Sequence, residues 1–171
     1  MTYRGRILAI ATLLGLAMLA PTRASAATLV PFQASVFEHY TLSVCASYTV
    51  CITGVGTGRA TQLGEVTEYA SVRVDINPAD SVNGCSPETR STVLTAANGD
   101  EITMSATGCG YNATSSARDS YVVTGGTGRF QGASGSGTDS NVHMLTGPGV
   151  GVAVTTFSGY LSSPGSLASS R

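Results

Sequence analysis

Lysine and tryptophan are both absent from this 171-residue chain, and aromatic residues make up only 6 % of it. Positive charge therefore rests on arginine alone, nine in all and scattered singly. With no basic cluster and a mildly acidic balance, nucleic acid and anionic membrane are poor partners. No Cys-x-x-Cys occurs, and the two histidines, His39 and His143, stand far apart, so no metal site is expected. After the first twenty residues there is no long apolar run, which excludes a helical membrane span in the remainder. Nor is there a convincing amphipathic helix.

What is there begins with an export signal. Arg4 and Arg6 precede an apolar stretch from Ile7 to Ala20, and Ala24-Ser25-Ala26 offers a small-residue cleavage site. Residues 1–26 are read as a signal peptide, so the protein is expected to be secreted, with no membrane association after cleavage. Removing 26 residues from 171 leaves 145, enough for one domain with a real core. Arg4, Arg6 and Arg23 leave with the signal; six arginines then face ten acids, for a formal charge of −4.

Cys45, Cys51, Cys85 and Cys109 remain. An even count in an exported chain reads as disulfides. Cys45 and Cys51 bracket a short segment between two strand candidates. Cys85 and Cys109 bracket a hairpin turning at Asn98-Gly99-Asp100, whose antiparallel strands carry both cysteines to one end. The expected pairs are Cys45–Cys51 and Cys85–Cys109.

The mature sequence is rich in Gly, Thr, Ser and Val, which suits strands and turns. Strand candidates are Phe32–Val44, Val50–Thr53, Ala60–Ile76 (able to split at Gly64), Thr92–Ala97, Glu101–Thr107, Asp119–Thr124, Phe130–Ser134, Asn141–Thr146 and Val150–Leu161. Asn77–Pro87 is a long central loop. About eight strands at regular spacing predict an all-β domain over 27–161, either a barrel or a sandwich. Residues 162–171, rich in serine, are read as a loose tail.

Identical tetrapeptides in similar settings stand out: Gly56-Thr57-Gly58-Arg59 and Gly126-Thr127-Gly128-Arg129. No helix follows either, so a phosphate cradle is a poor reading. Glycines within strands instead mark bends and close approaches of the kind a small barrel needs, and the two blocks fit two similar corners. Arg59 and Arg129 are expected to brace turns. In order along the chain come GRATQLG (Gly58–Gly64), ANGDEITMSATG (Ala97–Gly108) and VVTGGTGRFQGASG (Val122–Gly135). This series resembles the dirigent protein and allene oxide cyclase-like superfamily over roughly residues 58–135. The resemblance implies a single eight-stranded antiparallel barrel with a largely apolar lumen, often trimeric. It also implies an activity that steers or catalyses cyclisation or coupling of apolar small molecules without a cofactor. No catalytic residue carries over from it, because Thr61-Gln62-Leu63 departs from the compact glycine-block spacing.

Candidate chemistry comes instead from alternation. In Val66–Ile76 one face reads Val66, Glu68, Ala70, Val72, Val74, Ile76; in the first strand one face reads Phe32, Ala34, Val36, Glu38, Tyr40, Leu42, Val44. Glu38 and Glu68 each interrupt an apolar face. Facing one cavity they would form an acid/base pair with raised pKa values. A bulge or a slip of one residue would instead put each in solvent, the plainer reading for either alone. Tyr40 shares the Glu38 face and is either ligand-binding or a core tyrosine. His39 and His143 fall opposite their apolar neighbours and are expected to point outward. Gly132-Ala133-Ser134-Gly135 lacks the strand-to-helix elbow of a serine hydrolase. Asn112-Ala113-Thr114 fits a glycosylation sequon, relevant only in a eukaryotic secretory host.

Three function classes follow. One is a cofactor-free cyclase or isomerase acting on an apolar small molecule; the others are a carrier of such a molecule and a structural or surface protein with a filled lumen. Few aromatics lean toward the last. A homo-oligomer, possible as a trimer, belongs to the first through the resemblance.

Overall fold

The computed structural model describes residues 28–79, 81 and 83–162. The expected signal peptide and tail lie outside the described residues, except Ser162, which ends the last strand. Eight strands run in chain order: β1 (Leu29–Ala46), β2 (Thr49–Ala60), β3 (Gly64–Asp75), β4 (Ser86–Ala96), β5 (Glu101–Tyr111), β6 (Ser116–Gly126), β7 (Gly135–Gly147) and β8 (Val150–Ser162). Each pairs antiparallel with the next, and β8 pairs with β1, so the sheet closes into a barrel with no free edge. Closure excludes the sandwich.

Two-residue periodicity sets which face is inside. Along β1, Phe32, Ala34, Val36, Glu38 and Tyr40 are buried while their neighbours are exposed; along β3, Val66, Glu68, Ala70 and Val72 are buried. Burial of the large side chains supplies the main drive, about 1.5–3 kcal/mol for each.

The lumen is stratified. One end is packed solid with Phe32, Leu63, Leu94, Ile102, Met104, Phe130, Phe157 and Leu161. A belt of buried polar residues follows: Glu38, Glu68, Arg90, Thr92, Asp119, Asp139 and Thr155. The other end is an open cavity. Both disulfides stand beside that open end. Cys45–Cys51 ties β1 to β2 with Cα atoms 5.7 Å apart, and Cys85–Cys109 ties the start of β4 to β5 at 5.1 Å. These are the pairs expected from spacing.

Several boundaries differ from expectation. The long Ala60–Ile76 segment splits, with a turn at Thr61-Gln62-Leu63, where Gln62 and Gly64 take φ of 70° and 80°. β2 runs on through the first glycine block, which is therefore strand interior. Its twin ends β6 and enters a short 3-10 turn, Gly128–Phe130. The two blocks are thus not equivalent corners. The expected strand at Phe130–Ser134 is not one. Positive φ at Gly128 (54°) and Gly132 (73°) curls the chain and drops Phe130 into the packed end, 1 % exposed. β4 starts at Ser86, six residues before the expected Thr92, and this shift matters for the site.

Arg59 and Arg129 brace the surface as expected. Arg59 meets Glu65 at 2.9 Å, and Arg129 meets Asp100 at 3.3 Å.

Candidate functional site

Arg90 is the centre of the polar belt. It projects inward from β4 and is 5 % exposed. One guanidinium nitrogen, Nη2, donates to Glu38 Oε1 at 2.9 Å and to Glu68 Oε1 at 2.8 Å, while Nε donates to Thr92 Oγ1 at 3.0 Å. The two glutamates singled out in sequence are therefore brought together, 3 % exposed each, and neither is in solvent. Burial works against charge on Arg90, but Glu38 and Glu68 outweigh it and raise its pKa further.

β2 makes the room for this. Gly54 and Gly56 stand opposite Tyr40 and Glu38 in the β1–β2 register. A Cβ on Gly54 would sit 2.7 Å from Glu38 Oε2, and one on Gly56 would sit 2.7 Å from both Phe37 O and Val36 Cγ1. The glycine-rich stretch is the seat of the buried carboxylate.

The two glutamates are not equivalent. Glu38 lines the open cavity, whereas the Glu68 side chain is wholly covered. Glu68 Oε2 has no hydrogen-bond partner among the described residues. Burial pushes the Glu68 carboxyl up; Arg90 pulls it down and Glu38 pushes it up again, leaving it at about 7.

A second acidic group lies across the lumen. Asp119 on β6 pairs directly with Asp139 on β7, and Gly108 lies between Glu88 and Asp119 in the strand register. Burial, then the neighbouring Glu88, pushes Asp119 up to about 7; burial, then Asp119, does the same for Asp139. Glu88, which lines the cavity, is also raised by burial. Among the described residues, five buried carboxyl groups thus share one buried guanidinium. Burial and mutual repulsion favour the protonated forms of Glu68, Glu88, Asp119 and Asp139. Among the described residues, no group of three or more His, Cys, Asp or Glu side chains is placed to hold a metal ion.

From Glu38 a chain of polar contacts runs to the cavity wall. The Thr155 hydroxyl meets Glu38 Oε1; Asn141 Nδ2 lies 2.7 Å from Thr155 Oγ1; His143 Nδ1 lies 3.1 Å from Asn141 Oδ1. His143 therefore points inward, contrary to the sequence reading. Val142 and Met144, the apolar pair that set that reading, face outward at 63 % and 62 % exposure. His39 is exposed, as expected. Tyr40 is buried, lines the cavity, and sets its ring edge-on to His143 at 6.3 Å. Its phenol is held above its ordinary value by burial.

The cavity itself has a volume of about 440 Å³. Leu42, Val50, Ile52, Val72, Val74 and Ile76 give it apolar walls, and Glu38, Glu88 and Arg90 give it a charged floor. Its size falls in the range of small-molecule sites.

Arg90, Glu88, Asp119, Asp139, Thr155 and Asn141 were not singled out in sequence. The alternation of Glu88, Arg90, Thr92, Leu94 and Ala96 carries the signal, once β4 is started early enough.

No protein-family model matches the chain, and no curated protein matches its sequence. The structure is similar to a solved structure of a pterocarpan synthase dirigent protein, with a TM-score of 0.50 and 9 % identity over 85 % of this chain and 98 % of that one. At that identity the likeness is one of fold, a closed eight-stranded dirigent-like barrel.

Proposed function

We propose that the open half of the lumen binds an apolar small molecule and steers its cyclisation or stereoselective coupling, in an exported protein that needs no cofactor. The supporting observation is the cavity: about 440 Å³, apolar on its walls and ending on the Glu38–Arg90 floor. Apolar walls reward burial of a hydrophobic ligand. A fixed ion pair at the floor orients it and meets charge that develops as it reacts. Of the two glutamates on Arg90, Glu38 is the one a ligand would touch, with Glu88 beside it on the floor. Glu68 acts behind Arg90, balancing its charge. Tyr40 supplies a wall and a phenol.

The second reading is a carrier that binds without turnover. It is favoured by one observation: Glu38 Oε1, the oxygen at the Arg90 contact, already accepts from both Arg90 and Thr155 within the protein. The filled-lumen reading fits poorly with the open cavity.

The reading includes a homo-oligomer of this chain, a trimer by the resemblance. Val142, Val154 and Phe37 are exposed and adjacent on three neighbouring strands of the outer wall, which suits contact with a second copy. Light scattering on the mature protein tests this; a strict monomer removes it.

Binding is tested by titrating a solvatochromic apolar dye into the wild type and Ile52→Trp. Ile52 is half-buried on the wall, so a larger ring there fills open lumen rather than packed core. Saturable binding lost in the variant, with unchanged melting, supports the reading. Equal binding by both places the dye elsewhere and contradicts it.

A further inference from the structure

The contacts between Glu38 and His143 fix where protons lie. Arg90 is permanently cationic and donates to Glu38 Oε1, so that oxygen is an acceptor. The Thr155 hydroxyl meets the same oxygen and has one proton, so Thr155 donates there. Its oxygen must then accept from Asn141, which puts the amide NH2 toward Thr155 at 2.7 Å and the amide oxygen toward His143 at 3.1 Å. A carbonyl oxygen only accepts. Nδ1 of His143 must therefore carry hydrogen, and in the neutral ring Nε2 is left as a bare acceptor. Burial lowers the His143 pKa from its ordinary value, so the ring is neutral at neutral pH. Among the described residues Nε2 takes no hydrogen bond, and His143 lines the cavity. The edge-on Tyr40 ring holds its plane.

We propose that His143 is the proton acceptor of the lumen, its Nε2 receiving a hydrogen bond and then the proton from a weakly acidic O–H or N–H group on an otherwise apolar ligand. This rests on the reading of the cavity as a ligand site. In the transfer the ligand's X–H bond breaks, its electron pair stays on X, and an Nε2–H bond forms. The imidazolium keeps Nδ1–H on Asn141. Tyr40, Tyr111, Glu38, Glu88 and Arg90 are the titratable and charged groups that share the cavity; the carboxylates of Glu38 and Glu88 favour the new positive charge and Arg90 opposes it. Asn141 and Thr155 are positioning residues. They select the tautomer without touching the ligand.

Nitrogen NMR of the ligand-free protein, with His39→Gln to assign the two rings, tests the tautomer directly. The wild type shows His143 as the neutral Nδ1–H form. Thr155→Val, which neither donates nor accepts, releases Asn141 and shifts the ring toward Nε2–H. A wild-type ring in the Nε2–H form, or already cationic at pH 7, overturns the proposal. The acceptor role is tested with 7-hydroxycoumarin and its methyl ether, 7-methoxycoumarin. The hydroxyl probe binds the wild type about fivefold to tenfold more tightly, as one extra hydrogen bond allows. His143→Phe removes that preference and keeps binding of the ether. Equal affinity of both probes for the wild type overturns the acceptor role while leaving the cavity a ligand site. If both coumarins and the apolar dye fail to bind, the ligand-site reading falls and takes the acceptor role with it.

Discussion

The carboxylate of Glu38 occupies the space that a side chain on Gly54 would need. A Cβ built there would stand 2.7 Å from Glu38 Oε2, while Oε1 is held by Arg90 and Thr155. Glu38 cannot swing aside without leaving its ion pair. Gly54→Ala is expected to destabilise the barrel by about 1–2 kcal/mol, overpacking set against a gain in backbone entropy. Denaturant midpoints measure this. An alanine variant as stable as the wild type means that Glu38 has room to move.

Arg90 and Glu68 are expected to respond very differently to neutralisation. Arg90→Met leaves the buried carboxylates without the one buried cation among the described residues and should cost about 3–5 kcal/mol at pH 8. Glu68→Gln removes a group that is already half protonated near pH 7 and leaves the Arg90–Glu38 pair in place. Its stability at pH 8 is expected to be unchanged or higher. Matched chemical denaturation of both variants checks the contrast, and a Glu68→Gln loss as large as that of Arg90→Met contradicts it.

Stability should fall as pH rises from about 4 to 7. Glu68, Asp119 and Asp139 all titrate near 7 when folded, against ordinary values of 4.5, 3.8 and 3.8. Between those limits the folded chain binds more protons than the unfolded one, so each unit of pH weakens folding. Their contribution is full below the ordinary carboxylate range and lost as pH passes the folded values. His143, held below 6.5 by burial, works in the opposite direction, but it is one group against four, since Glu88 is raised as well. The melting temperature is expected to be higher at pH 5 than at pH 8, and Asp139→Asn should flatten the slope. A melting temperature that rises across this window contradicts the account.

The Cys85–Cys109 bridge closes a loop with a sequence separation of 24 and braces the mouth of the cavity. Its loss through paired Ser substitutions should cost about 3 kcal/mol in the chain-entropy picture. Cys45–Cys51, separated by only 6 residues, should matter less. Melting of the two double variants gives the order, and the reverse order would refute it.

The barrel was legible because most strands obey strict alternation and the glycine blocks fall in a familiar series. The disulfides were legible because a hairpin signal at Asn98-Gly99 fixes which ends meet. Arg90 was hidden for a physical reason. From Ser86 to Ser91 its strand is polar but for Pro87, so no apolar period marks where it begins. His143 was misassigned for the mirror-image reason: β7 is apolar outside and polar inside at that point, which inverts the usual rule. Both failures lie where polar side chains face the lumen. The identical tetrapeptides misled in another way. Gly58 packs against the β1 backbone inside a strand, whereas Gly128 takes positive φ in a turn.

Native mass spectrometry of the protein purified from its own host tests most directly whether the lumen holds a small apolar molecule. A bound species of drug-like mass is expected, released on unfolding and absent from Ile52→Trp purified in the same way. If the released compound is cyclised, or is a single stereoisomer of a coupled product, steering is favoured over carriage. A wild-type protein that carries no ligand, and that binds an apolar dye no better than Ile52→Trp does, would contradict the claim.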